Sequence, residues 1–305
     1  MFIRTLLLLA LFAWQAAPHV PPPPDQRENA APAAEKIFYQ DVSWSRDGSR
    51  IAFTAMRHAG DKEMRSSIYV MRSDGTEAAR VTDDATVAYY VSMSPDGKRV
   101  AYAVRTGEKK SDIFASPLDG SKSVRLTQGG YNHTPAWSPD GRRIAFISDR
   151  DGAGPQVYVM NSDGSNQTRL TRDDTRDYNP AWSPDGRSIT YYAERGDQKD
   201  QVWIMNADGT QPKLLTAGVG HNIFPAFSSD GARVVFTSKR EGDAGFHIYS
   251  VKTDGTELRR LSEQEAFFAR PSPDGKKIAF TAGRFPESAI YVMNADGAGL
   301  VKLTK

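Results

Sequence analysis

Six short segments of this 305-residue chain hold most of the side chains able to recognise or transform another molecule. They read EKIFYQDV, ATVAYYV, GGYNHTP, TRDYNP, GVGHNIFP and QEAFFARP. They collect Tyr39, Tyr89, Tyr90, Tyr131, Asn132, His133, Tyr178, Asn179, His221, Asn222, Phe224, Phe267 and Phe268. Aromatic rings bury large areas at small entropic cost and amides adapt their hydrogen bonds, so the mixture suits a protein- or glycan-binding surface. Tyr90, Tyr131, Asn132, His133, Tyr178, Asn179, His221, Asn222, Phe224 and Phe268 are the partner-binding candidates. The competing role for the same residues is to plug a channel and cap strand ends.

Catalysis has thinner support. His133 and His221 could meet and hold a divalent metal, but no third or fourth ligand is evident beside them. His19, His58 and His247 offer no reason to be ligands. There is no G-x-S-x-G elbow and no H-E-x-x-H. Cysteine is absent, which removes disulfides, thiolate metal sites and a lipid on an N-terminal Cys. No catalytic residue, cofactor or resident metal is therefore assigned, and the expectation is a protein that is not an enzyme.

Bulk properties narrow the partners. The 39 basic and 37 acidic residues leave a formal charge of +2, too little field to collect nucleic acid. The opening MFIRTLLLLALFAWQAAPHV has one positive charge, an apolar run from Leu6 to Trp14 and small residues at Ala16–Ala17. This is the layout of a secretory signal over residues 1–17, and the run is too short to span a bilayer. VPPPPDQRENAAPAAE follows, so residues 18–35 read as a proline-rich linker. The mature domain would occupy residues 36–305, periplasmic or secreted, monomeric and without a membrane span once the signal is removed.

The elements that position the six segments come from a repeat. SWSRDGSRIAFT, SMSPDGKRVAYA, AWSPDGRRIAFI, AWSPDGRSITYY, AFSSDGARVVFT and RPSPDGKKIAFT place Asp-Gly pairs at Asp47, Asp96, Asp140, Asp185, Asp230 and Asp274. A second Asp-Gly series begins at Asp74, Asp119, Asp163, Asp208, Asp254 and Asp296. A period of about 45 residues with strand-like content means propeller blades. SPDG is a type I turn, so strands flank it. RRIAFIS and its equivalents are nearly unbroken apolar runs that fit a strand covered on both faces. QVYVMN, QVWIMN, HIYSVK and AIYVMN supply third strands. TRLT, KLLT, RRLS and VKLT are short, charged outer edges. The fold class is all-β: a six-bladed β-propeller with four antiparallel strands per blade.

Three further series belong to the scaffold. Pro135, Pro180 and Pro225 lie just before the first strand, marking it as the innermost. Trp44, Met93, Trp137, Trp182 and Phe227 share one position and read as wedges between blades. Arg57, Arg105, Arg150, Arg195, Arg240 and Arg284 follow the second strand and suit inter-blade ion pairs or hydrogen bonds to a neighbouring loop. The first copy opens on an inner strand and the last closes on an outer one. Packing of blade 1 on blade 6 then closes the ring, unless Lys36–Gln40 adds a strand to the last blade.

The repeated motif xPAWSPDGxxIAFxSxRxGxxxxIYxMNxDGxxxxxLT resembles that of the TolB-type propellers, six-bladed relatives of WD-type repeats in bacterial envelopes. The resemblance runs from about Lys36 to Lys305. It implies a periplasmic component linked to the Tol–Pal cell-envelope system, binding the peptidoglycan-associated lipoprotein at one propeller mouth. The expectation is a non-enzymatic protein-binding platform with an envelope protein as partner. TolB carries an α/β domain before its propeller, whereas only a signal and linker precede the first blade here. The alternative is a propeller resembling the oligouronide lyases, with a metal at the channel mouth, or a glycan-binding module without turnover.

Overall fold

The computed structural model describes residues 36–58, 65–83, 85–172, 175–195, 200–217 and 220–304. The expected signal (1–17) and linker (18–35) lie outside the described residues. The described chain forms 24 strands in six four-stranded antiparallel sheets.

Blade 1 contains β1 (Lys36–Trp44), β2 (Arg50–His58), β3 (Arg65–Arg72) and β4 (Ala79–Arg80). Blade 2 contains β5 (Ala88–Met93), β6 (Arg99–Gly107), β7 (Lys110–Pro117) and β8 (Val124–Arg125). Blade 3 follows as β9 (His133–Trp137), β10 (Arg143–Ser148), β11 (Gln156–Asn161) and β12 (Thr168–Arg169). Blade 4 has β13 (Arg176–Trp182), β14 (Ser188–Glu194), β15 (Gln201–Asn206) and β16 (Lys213–Leu214). Blade 5 has β17 (His221–Phe227), β18 (Arg233–Lys239), β19 (His247–Lys252) and β20 (Arg259–Arg260). Blade 6 has β21 (Ala266–Pro271), β22 (Lys277–Arg284), β23 (Glu287–Asn294) and β24 (Val301–Lys302).

Each blade is a meander whose turns the sequence dictates. In blade 3 the Ser138 hydroxyl donates to Asp140 Oδ1 at 2.6 Å, and Gly141 N–H donates to the Ser138 carbonyl at 2.9 Å. The same bonds recur in the other blades and hold the turn carboxylates below the usual range. Asp47 falls to about 2, first through the Ser45 hydroxyl and then through the Ser49 N–H. The final Thr or Ser of each repeat is also structural. Its hydroxyl accepts the first N–H of the third-strand core, as Thr171 does from Val157 at 3.0 Å and Thr304 from Ile290 at 3.0 Å.

Six hydrophobic clusters lie between neighbouring blades, so second strands are covered on both sides, as their unbroken apolar runs predict. The wedge residues behave as expected: Trp137 and Trp182 are buried, each under a guanidinium of the preceding blade, Arg99 at 4.8 Å and Arg143 at 4.6 Å. Lys36–Gln40 pairs with β2 rather than with blade 6, so every sheet is built from one continuous stretch. Val42, Ile51 and Phe53 pack on Ala279, Ile290 and Val292 to close the ring.

Candidate functional site

The first strands line the axis, and each carries a bulge at one register position. The residue there is left-handed in every blade: Asp41, Tyr90, Thr134, Asn179, Phe224 and Phe268, with φ between 48° and 57°. Pairing with the second strand shifts at that point in all six sheets. Pro135, Pro180 and Pro225 come next, inside the strand instead of before it. The bulge breaks the ladder there, so a residue without an N–H is tolerated. A repeated backbone conformation thus carries five different residue types around the six blades.

Above this ring the aromatic side chains form a continuous layer. Tyr178 stacks on Tyr192 at 5.1 Å, Tyr192 meets Phe224 edge-on at 5.9 Å, and Phe224 lies 4.2 Å from Phe268. Tyr90 packs against the same cluster from blade 2. On its other side it reaches His133 at 5.7 Å, and His133 sits 4.7 Å from Tyr131. Burial, followed by the nearby Asp41 carboxylate, holds the Tyr90 phenol well above its ordinary range, and burial does the same to Tyr131. His133 is buried with Nδ1 unbonded, and desolvation lowers its pKa to about 3, so the ring is neutral.

The candidates fall into three places. Tyr90, Tyr131, Tyr178 and His221 are half-buried and border the mouth; His221 Nδ1 lies 3.3 Å from Asp200 Oδ2. His133, Asn179, Phe224 and Phe268 are buried in or beneath the aromatic layer. Asn132 and Asn222 are fully buried where two neighbouring blades meet. Asn132 Nδ2 donates to the carbonyls of Ser111 and Gly129 and to Asp112 Oδ1, and its Oδ1 accepts from Arg150 Nη2 at 2.8 Å. Asn222 is bonded in the same manner, accepting from Ser238 Oγ at 2.8 Å and Arg240 Nη2 at 3.5 Å.

Arg150 and Arg284 thus hydrogen-bond the connecting loop that enters their own blade, at Asn132 and Glu265, one of the two roles the sequence suggested. Arg150 lies over Phe146 and Tyr158, Arg195 over Trp203 and Arg240 over Tyr249, each bracing its own third strand. His133 and His221 sit on blades 3 and 5 with different neighbours. Among the described residues no group of three or more His, Cys, Asp or Glu side chains is placed to hold a metal ion.

Below the ring lies a cavity of about 70 Å³ lined by Asp41, Ser43, Tyr90, Ser92, Thr134, Asn179 and Arg270, among others. Asp41 accepts the Tyr90 N–H at 3.2 Å, and burial pushes its pKa up to about 7 against the opposing pull of Arg270. Asp41, Arg270, Thr134, Tyr192 and Phe246 are not among the residues the sequence singles out. The signal available was the alignment of the six copies four residues before each turn serine, where the repeat suddenly stops repeating.

The family model described as the TolB beta propeller domain matches residues 179–305. The chain is a six-bladed β-propeller similar to that of TolB. A putative TolB structure from Agrobacterium tumefaciens superposes with a TM-score of 0.70 at 25% identity, covering 79% of this chain and 89% of that one. TolB from Acinetobacter baumannii gives 0.67 at 19% identity, covering 88% of this chain and 63% of its own. The Tol-Pal system protein TolB of Geobacter sulfurreducens is 39% identical over 62 residues, 20% of this TolB-like chain and only 14% of that protein. An oligogalacturonate lyase in complex with manganese has the same fold, with a TM-score of 0.60 at 17% identity over 89% of this chain and 78% of that one. Among the described residues no helix is long and apolar enough to cross a membrane.

Proposed function

We propose that this TolB-like propeller is a non-enzymatic protein-binding platform of the bacterial periplasm, related in role to the Tol–Pal system. The aromatic layer across the channel mouth carries the reading. Half-buried Tyr131 and Tyr178 stand on a rigid apolar floor, and the His221–Asp200 pair supplies a polar rim. Rigid tyrosines around a desolvated centre are the usual make-up of a protein-docking surface. The partner is an envelope protein, with the peptidoglycan-associated lipoprotein as the specific candidate, since the Geobacter relative is named for the Tol-Pal system.

An envelope pull-down with cross-linking tests this, run beside a variant carrying Tyr178→Ala and His221→Ala. Loss of one protein species from the variant lane is the expected result. An unchanged lane would place binding away from this mouth. The lyase reading draws on shared fold alone, and stoichiometric manganese retained by the purified chain would favour it.

A further inference from the structure

The cavity beneath the bulge ring is chemically unlike the mouth above it. Asp41 enters from blade 1 and half-buried Arg270 from blade 6, and the two do not pair directly. Arg270 Nη1 donates to the carbonyls of Ala269 at 3.0 Å and Phe224 at 3.4 Å, leaving its other guanidinium hydrogens uncommitted. The Ser43 and Ser92 hydroxyls accept the N–H groups of Met93 and Trp137, which frees their own hydrogens as donors. Thr134 is buried to more than nine-tenths, lines the cavity, and its hydroxyl has no partner. Buried polar groups left open in this way are costly unless something satisfies them.

The SPDG turns stand at the end opposite the mouth. At that end the turn glycines of blades 2 to 6 abut the turn of the preceding blade: Gly97 on Ser45, Gly141 on Pro95, Gly186 on Pro139, Gly231 on Pro184 and Gly275 on Ser229. The equivalent position in blade 1, Gly48, has nothing within 4 Å. The ring of turns is thus interrupted between blades 6 and 1, the two that supply Arg270 and Asp41. Arg46 occupies the position of the motif's proline, and its guanidinium crosses to the Pro139 carbonyl at 2.9 Å. A single exposed hydrogen bond holds that strap.

We propose that the axial cavity binds a small zwitterion, an α-amino acid of glycine or alanine size, with its carboxylate on Arg270 and its ammonium on Asp41. Size agrees: about 70 Å³ is several times the ~10–15 Å³ that one water requires. A molecule of five or six heavy atoms fits. Charge agrees as well, because a simple carboxylate would satisfy Arg270 while facing Asp41, and a simple amine would do the reverse. The Thr134, Ser43 and Ser92 hydroxyls are left to bond the remaining carboxylate oxygen. This site lies on the far side of the aromatic layer from the mouth and shares Tyr90 with its border.

Titration of the full chain, at a pH above the Asp41 pKa of about 7 so that its carboxylate is ionised, with glycine, alanine, acetate and methylamine, followed by calorimetry and amide chemical shifts, tests the assignment. Glycine or alanine should saturate, with shifts confined to the bulge ring near Asp41 and Thr134. Acetate and methylamine should bind about tenfold more weakly or worse. Arg270→Gln should weaken glycine by a similar factor. If that variant does not melt cooperatively, Thr134→Val, which keeps the shape and removes the hydroxyl, takes its place. Failure of both amino acids to saturate by ~10 mM, acetate binding as tightly as glycine, or shifts gathered at Tyr178 and His221 would each overturn the proposal.

Discussion

Trp44 of blade 1 donates its indole N–H to the Arg270 carbonyl of blade 6 at 2.9 Å. The equivalent bond between blades 4 and 3 runs from Trp182 to the Ala136 carbonyl at 3.1 Å. The joint that closes the ring therefore uses the same device as an internal interface. Trp44→Phe keeps most of the ring volume and removes the bond, so it should cost ~1 kcal/mol. Trp137→Ala empties a buried wedge and should cost ~3–5 kcal/mol. Denaturant unfolding of the two variants checks the order. Equal losses would mean that the wedge is not buried as described.

Two buried groups at the axis pull stability in opposite directions with pH. Asp41 has a folded pKa of about 7 against 3.8 for an ordinary aspartate. Its contribution is complete below the unfolded value and is lost as pH rises toward 7. His133 has a folded pKa of about 3 against 6.5. Its contribution is complete above the unfolded value and is lost as pH falls toward 3. Each is on the order of 4 kcal/mol at its limit, and the windows overlap, so the native profile should be nearly flat from about pH 4 to pH 6.5. Asp41→Asn should become more stable as pH rises across that range, and His133→Phe less stable. Urea midpoints at the two ends decide it. Slopes of the same sign would contradict the pairing.

Buried amides and half-buried tyrosines should separate when mutated. Asn132→Ala leaves Arg150 of blade 3 and Asp112 of blade 2 each without one partner and should cost ~1–3 kcal/mol. Tyr178→Ala removes one stacked, half-buried ring and should cost ~1 kcal/mol, while losing the mouth's partner. Melting curves run with the pull-down distinguish a scaffold residue from a binding one. A large melting shift for Tyr178→Ala would move that tyrosine into the scaffold.

Two turn glycines with similar φ should respond differently to alanine. At Gly120, φ 69°, a methyl group would stand 2.2 Å from the Val81 carbonyl oxygen of the preceding blade. At Gly48, φ 71°, it would meet nothing within 4 Å. Gly48→Ala should cost only the left-handed strain, ~1–2 kcal/mol, and Gly120→Ala ~1–3 kcal/mol more. Equal costs would argue that blade 2 does not abut blade 1 through that turn.

The scaffold was legible because it is written six times. SPDG fixes each hairpin through one serine and one aspartate, and a period shared by every copy leaves no other way to stack the sheets. The site was less legible. Asn132 and Asn222 have the composition of a binding surface, yet their neighbours are Arg150 and Arg240 just beyond the second strand, a pairing visible only when the sheet is assembled. The bulge had no sequence signal in blades 1, 2 and 6, where no proline follows it. Asp41 and Arg270 stand 229 positions apart in the chain and meet only because the circle closes. Nothing local in either segment announces that.

Each sheet is complete within one stretch of chain, and the seam is sealed by reciprocal bonds such as Tyr39 N–H to Ser288 Oγ at 2.7 Å and Ser288 Oγ to the Tyr39 carbonyl at 2.9 Å. No blade is stitched from both termini. The assembly accordingly has no privileged starting blade, and a circular permutant opened between blades 3 and 4 and joined across the natural seam should refold to the same toroid. Tension applied to the natural ends would be borne by one lateral joint, without a shared strand to resist it, and the circle would part there like a clasp.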